Sequence, residues 1–407
     1  MTVDIPATML LDREVLDDPY PFYRRLHREA PVWQVPGTEV FVVTTFEMVA
    51  EATARVTDFS SNMRCLLYRD DAGLPARLAF GGEDGVETLA TADPPIHTVH
   101  RSVVFPELMA RRMASFESEI AEIAELCITR ALDEGDPDFM QAVGNVVPIT
   151  MVSRLVGFQG SDPARLLQAA FDGTRLVSGS MPLSELNDLM VRSGEIGAWI
   201  AEQLEAAAAA PGENLLGTVA RGIQSGDLQV QEGIVTLQTL LSAGGESTSS
   251  LLGNAVRILA EQPELQEDLR ASPERIPAFV EEAVRLESPF RHLTRSVPHD
   301  TTLGDVAIPA GSTLMLFWGA ANRDPAEFET ADQVNLDRPS PRHHLAFGRG
   351  IHHCVGAPLA RLEGRVVLSM LLERTRSITL DPEHAPRWVE SLQSRRHEYL
   401  PVRLAPR

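Results

Sequence analysis

Ten residues toward the C-terminal end, Phe347-Gly348-Arg349-Gly350-Ile351-His352-His353-Cys354-Val355-Gly356, set one cysteine among close glycines just ahead of a helical stretch. Glycine lets backbone approach a bulky planar ligand and turn amide N–H groups toward sulfur, and a helix N-terminus favours negative charge. Each effect lowers a thiol pKa, so the chemistry written here is that of a thiolate on a metal. Two plainer readings stand beside it. One is a buried structural cysteine; the other is zinc held by His343, His344, His352, His353 and Cys354. Zinc normally wants a second thiolate or a spaced histidine pair, and the chain has no C-x2-C pair.

A second constellation is Ala243-Gly244-Gly245-Glu246-Ser247-Thr248. A carboxyl next to a hydroxyl is suited to moving protons to a bound reactant, which is positioned acid catalysis. The plainer reading is a polar helix face whose glycines permit close helix packing. Elsewhere, His97 and Arg101 share one helical face, though a lone histidine is more often a surface residue. Glu282 and Arg285, one turn apart, would alone be an exposed pair worth ~0.3 kcal/mol.

These groups need elements to carry them. A helix is expected over Tyr20 to Ala30, a hairpin from Val32-Trp33-Gln34-Val35 and Val40-Phe41-Val42-Val43 around Pro36-Gly37, and a helix from about Phe46 to Arg55. Asp58 to Ala92 shows neither period, carries Gly81, Gly82 and Gly85, and reads as a lid. Asp93-Pro94-Pro95 reads as the cap and first turn of the helix bearing His97 and Arg101. More helices fill Arg111 to Ala131 and Asn145 to Ala210. The longest runs from about Gln231 to Gln262 and stops at Pro263, a rod of about 45 Å at ~1.5 Å per residue. Its two glycines cost roughly 1 kcal/mol each relative to alanine, so some benefit must offset them. A helix ends at Arg285, strands cover Thr301 to Val306 and Thr313 to Trp318, and a last helix spans Leu359 to Arg374. The expectation is one domain over residues 1–407, mainly α with a minor β region near 32–45, 294–318 and 377–404.

The cysteine segment resembles the haem-binding signature F-G-x-G-x-H-x-C-x-G of the cytochrome P450 family at every fixed position. Three further segments match in order: the H-x-x-x-R helix at His97 and Arg101, the A/G-G-x-D/E-T stretch at Ala243 to Ser247, and E-x-x-R at Glu282 and Arg285. The similarity runs from about Asp17 to Leu404, departing where Ser247, followed by Thr248, stands in place of the usual threonine. The resemblance implies the P450 fold, with haem b (iron protoporphyrin IX) buried between the long helix and the cysteine loop. Cys354 would be the axial ligand. His97, Arg101, Arg295 and His352 would hold the haem carboxylates, with Ala243, Gly244, Phe347, Gly348 and Gly356 also lining the cofactor. Glu282, Arg285 and Arg338 would form a structural charge network.

The same resemblance implies a haem-thiolate monooxygenase that activates O2. Glu246 would relay protons, Ser247 would order a donor, Thr248 would stand beside them, and Gly244 and Gly245 would let the helix open. Substrate contacts would come from the Asp58 to Ala92 run, Thr239, Ala243, Arg291, His292, Leu293 and Leu392. Most of these are small or apolar and suit a small lipophilic substrate, with Arg291 or His292 either meeting a polar substrate group or, as the plainer reading, facing the haem edge or solvent. No flavin or iron–sulfur module follows Leu404, so a ferredoxin and its reductase are the expected electron source. A peroxide-driven peroxygenase and a non-enzymatic haem sensor or carrier are the alternatives.

Composition narrows the partners. A formal charge of −21 opposes nucleic acid and anionic lipid, while Arg111, Arg112, Arg349 and Arg361 gathered on one face would suit an acidic redox partner. No run approaches the ~20 apolar residues of a membrane helix, so no membrane anchor is expected. Met1 to Asp12 lacks a secretory pattern, and Cys65, Cys127 and Cys354 cannot build a disulfide framework. The expected compartment is the cytoplasm, with Cys65 and Cys127 as passengers, Cys127 on the apolar side of a helix.

Overall fold

The computed structural model describes residues 4–79 and 86–407. The chain opens with α1 (Arg13–Asp17), α2 (Tyr20–Glu29), β1 (Val32–Gln34), β2 (Val40–Val43), α3 (Phe46–Ala54), β3 (Cys65–Arg69) and β4 (Pro75–Ala79). A helical middle follows: α4 (Ile96–Val104), α5 (Ala110–Ala114), α6 (Glu117–Glu134), α7 (Val146–Val156), α8 (Pro163–Leu176), α9 (Leu183–Ala209), α10 (Leu215–Ser225) and α11 (Val230–Glu261). After α12 (Pro263–Ala271) and α13 (Ile276–Leu286) come β5 (Leu293–Ser296), β6 (Thr301–Leu303), β7 (Val306–Ile308), β8 (Thr313–Leu316) and α14 (Trp318–Ala321). The chain closes with α15 (Ala357–Arg374), β9 (Thr375–Leu380), β10 (Arg387–Trp388), β11 (His397–Tyr399) and β12 (Val402–Pro406). The fold is mainly α with a minor β region.

Helix α11 begins at a capping box, in which the Gln229 amide donates to the Glu232 carboxylate at 2.7 Å, and it ends before Pro263. Its 32 residues cross the molecule and pack against α7, α8, α13 and α15. Apolar side chains from these helices and α6 form the largest core cluster, which includes Cys127.

The four-stranded sheet has the order β1-β2-β8-β5, with β2 parallel to β8 and the other pairs antiparallel. All four residues of β2 and of β8 are buried, the pattern of central strands covered on both faces. The sheet carries Arg295 on its edge strand β5, where it pairs with Leu314.

Two expectations are corrected. The run from Asp58 to Ala92 contains an antiparallel hairpin, β3 with β4. It turns where the Asp70 carboxylate accepts from the amides of Ala72 and Leu74, at 2.9 and 2.8 Å, and where Gly73 adopts φ +78°. Its period-2 signal is erased because Leu66 and Leu67, on opposite faces, are both buried against different clusters. Gly81, Gly82 and Gly85 lie outside the described residues. Asp93 does not cap α4 with its side chain. Its carboxylate accepts from the Ser60 hydroxyl and, at 3.0 Å, from the Ser61 amide, while its backbone carbonyl accepts from the His97 amide. Among the described residues no helix is long and apolar enough to cross a membrane.

Candidate active site

The cysteine loop is shaped by two left-handed glycines, Gly348 at φ +66° and Gly350 at φ +71°, and closed by the Cys354 amide donating to the Phe347 carbonyl at 2.8 Å. The Cys354 sulfur faces the backbone N–H groups of Gly356 and Ala357, where α15 begins. The side chain is accessible yet lies deep in the protein, so it borders an internal cleft. Burial pushes the Cys354 thiol up, and the two amides with Arg361 and Arg101 only partly offset it. The amide donors lower the thiol pKa as the sequence predicts, desolvation works against them, and a bonded cation is what would tip the group to thiolate.

Around the loop stand several nitrogen donors. Arg101 donates from Nη1 to the Ile351 carbonyl and from Nη2 to the His353 carbonyl, each at 3.0 Å, tying α4 to the cysteine loop. The rings of His97 and His352 lie 4.4 Å apart, and Nε2 of each is buried without a hydrogen-bond partner among the described residues. Arg295, buried on β5, donates to the adjacent Thr294 carbonyl at 2.8 Å. Burial lowers Arg295 to about 10 and, with neighbouring Arg295, His97 and Arg101, lowers His352 to about 3. Burial also lowers His97. Donors are gathered here without a carboxylate in hydrogen-bond contact with Arg295, His97 or His352 among the described residues.

On α11 the glycines act differently from expectation. The helix continues unbroken through them, and a Cβ on Gly244 would stand 2.6 Å from Val152, one on Gly245 3.0 Å from Ala170. They permit close packing of α7 and α8, which is the benefit that offsets their helix cost; no opening of the helix is seen. Ser247 donates to the Ala243 carbonyl at 2.5 Å, and Thr239 to Val235 at 2.8 Å. Thr248 is buried. Glu246 is buried and fully engaged, by Ser394 and Arg396 from the segment before β11 and by Thr174 from α8. No sequence motif marked Thr174, Ser394 or Arg396.

The E-x-x-R pair is not an exposed one. Arg285 meets both Glu282 oxygens at 2.7 and 2.9 Å with each side chain 1% exposed, and Arg338 joins at 2.9 Å. Arg291 and His292 are both buried, with Nε of Arg291 and both ring nitrogens of His292 lacking a hydrogen-bond partner among the described residues. Arg291 donates to the Leu16 carbonyl at 2.9 Å, and His292 stacks on Phe317 at 5.3 Å. Leu392 is buried beside Leu67 and Gly179, whereas Leu293 is exposed. The zinc alternative loses its ligands, because His343 pairs with Glu327 and His344 with Glu281, and no metal-holding group of three forms among the described residues.

The profile of the family described as Cytochrome P450 matches residues 215–390. Cytochrome P450 144 of Mycobacterium tuberculosis is 39% identical over 405 residues, spanning 98% of this chain and 92% of that protein. The chain belongs to the cytochrome P450 family. Cytochrome P450 107B1 of Saccharopolyspora erythraea is 32% identical over 417 residues, with 99% of each chain covered. Among solved structures, CYP109E1 from Bacillus megaterium in complex with testosterone superposes with a TM-score of 0.86 at 26% identity, covering 97% of this chain and 99% of that one. A P450 is a haem monooxygenase with a cysteine thiolate on iron. The site fits that group: buried, unpartnered nitrogens on His97 and His352 beside Arg295 await carboxylates such as the two haem propionates.

Proposed function

We propose that this P450 uses Cys354 as its thiolate ligand and inserts one oxygen atom from O2 into a small lipophilic substrate, with electrons from a ferredoxin and its reductase. The observation that carries this reading is the Cys354 sulfur, held before two helix-terminal amides in the same site as buried donors that lack an anion. Bound haem supplies oxygen binding and, through its thiolate, the electron density that favours O–O cleavage.

The chain's own groups divide the remaining work. The amides of Gly356 and Ala357 orient the sulfur and spread its charge. Arg295 offers a buried cation and His352 an imidazole whose charged form burial and the neighbouring cations disfavour. Arg101 fixes the loop to α4 and stands within Coulomb range of the sulfur. Glu246 and Ser247 would relay the protons that the reaction consumes. Burial raises Glu246, so it holds a proton more readily than an exposed glutamate. Ser247 must turn away from Ala243 to donate elsewhere.

A lipophilic substrate is supported by the testosterone held by CYP109E1 and by the apolar lid cluster of Leu66, Met181, Leu186 and Leu189. An acidic electron donor is supported by Arg342, Arg361 and Arg365, which line a recess of about 400 Å³ between α5, α13 and α15. Arg111 and Arg349 are exposed on α5 and in the cysteine loop, a basic area on a chain of charge −21. Cys354→His is expected to bind haem but lose the red-shifted Soret band of the reduced carbon monoxide complex; retention of that band would refute the ligand assignment. Turnover with hydrogen peroxide alone that equals turnover with ferredoxin, reductase and O2 would replace the electron-transfer reading.

A further inference from the structure

Three segments far apart in sequence meet on one buried carboxyl group. Glu246 Oε1 accepts from Ser394 Oγ at 2.5 Å and from Arg396 Nε at 3.1 Å, and Oε2 accepts from Thr174 Oγ1. All four side chains are buried. Arg396 also lies over the Phe171 ring of α8, 3.7 Å from its centroid, so it bridges α8 and α11.

Among the described residues, the other groups packed around Glu246 bring no competing charge. From α7 come Ile149 and Val152, packed at Gly245 and Gly244. On α8 the nearby Asp172 is spent on Arg192 at 2.6 Å. In the tail, Arg395 is spent on Glu287 at 2.8 Å, and His397 is kept neutral by burial while stacked on Trp388. Arg396 is thus the cation that acts on Glu246, pulling against the upward push of burial. Burying such a pair is weak support for stability, since desolvation consumes most of the attraction. Its place, one residue before Ser247 and four after Leu392, points to another role.

We propose that Arg396 is a positioning residue for proton delivery: with Ser394 and Thr174 it parks the Glu246 carboxyl, and it supplies the charge that the ionised form of Glu246 requires. The inference rests on the reading of Glu246 as the relay. It links that relay to the tail segment carrying Leu392 and to α8, both of which border the lid.

The test is infrared titration of the protonated Glu246 carboxyl band, identified by difference against Glu246→Gln, in the haem-loaded protein and its Arg396→Gln and Arg396→Lys variants. Loss of an opposite charge raises a carboxyl pKa, so the Arg396→Gln midpoint is expected to rise by about one unit or more, with Arg396→Lys returning toward the parent. The alkaline limb of product formed per electron is expected to move the same way, a shift that a merely structural role would not cause. Should Arg396→Gln fail to load haem, Ser394→Ala is expected to raise the midpoint by a smaller step, and an unchanged midpoint there overturns the proposal. An unchanged Arg396→Gln midpoint does so as well. If Glu246→Gln keeps full coupling, it is the relay reading that falls, and the proposed role in delivery falls with it.

Discussion

The guanidinium of Arg69, at the end of β3, donates from Nε and Nη2 to the Ser180 carbonyl at 3.0 and 2.8 Å. The Arg69 amide donates to Met181 at 2.7 Å, and its side chain also pairs with Glu390. One residue therefore clasps the hairpin, the turn between α8 and α9, and the tail. Arg69→Ala is expected to loosen this junction. The side chain is partly exposed, so the loss is modest, ~1 kcal/mol. Lipophilic ligands should bind several-fold more weakly and leave faster, as read from spin-state titration and stopped-flow release. Release at the parent rate would show that Arg69 does not govern ligand retention.

Glu281 joins α13 to the cysteine loop through His344 at 3.0 Å and to α15 through Arg361 at 2.7 Å. Burial alone would raise its pKa, but these hydrogen bonds and charges bring it down to about 2. A depressed carboxyl adds stability above its unfolded value, near 4.5, and loses it as pH falls toward about 2. The contribution is on the order of 3 kcal/mol. Glu281→Gln should flatten the fall in denaturant midpoint across that window and lower the midpoint at neutral pH. An acid limb of parental steepness would contradict this.

Under the proposed haem binding, Arg295→Leu removes a buried cation that would meet a haem carboxylate, an interaction worth ~1.5–3 kcal/mol. Haem transfer to an excess of apomyoglobin is expected to speed up about 10- to 100-fold. Parental haem retention would exclude Arg295 from the carboxylate-binding set.

Glu282→Ala strands Arg285 in the core, 1% exposed, and breaking such a pair costs ~3–5 kcal/mol. Arg338→Ala should cost less, because Arg285 still neutralises the carboxylate. Thermal unfolding of the two variants checks the order; equal losses would mean that Arg338 carries as much of the network as Arg285.

Ser247→Ala removes the hydroxyl beside Glu246 and should divert reducing equivalents to hydrogen peroxide, lowering product formed per electron several-fold. Measured coupling equal to the parent would show Ser247 idle.

What the sequence by itself determined were features encoded over a few neighbouring residues. The glycine-set cysteine loop, the Pro263 stop of α11, the Val32 to Val43 hairpin and the Glu282–Arg285 spacing all depend on local backbone chemistry and helical period. The tertiary structure alone decided the pairings between distant segments. Among these are the parallel register of Val40 with Thr313, the packing role of Gly244 and Gly245, the burial of Arg291 and His292, and the meeting of Glu246 with Arg396, 150 residues onward. Such contacts depend on how helices cross and which way a strand faces. Those are properties of the packed whole, to which the residue types of any one segment are nearly blind.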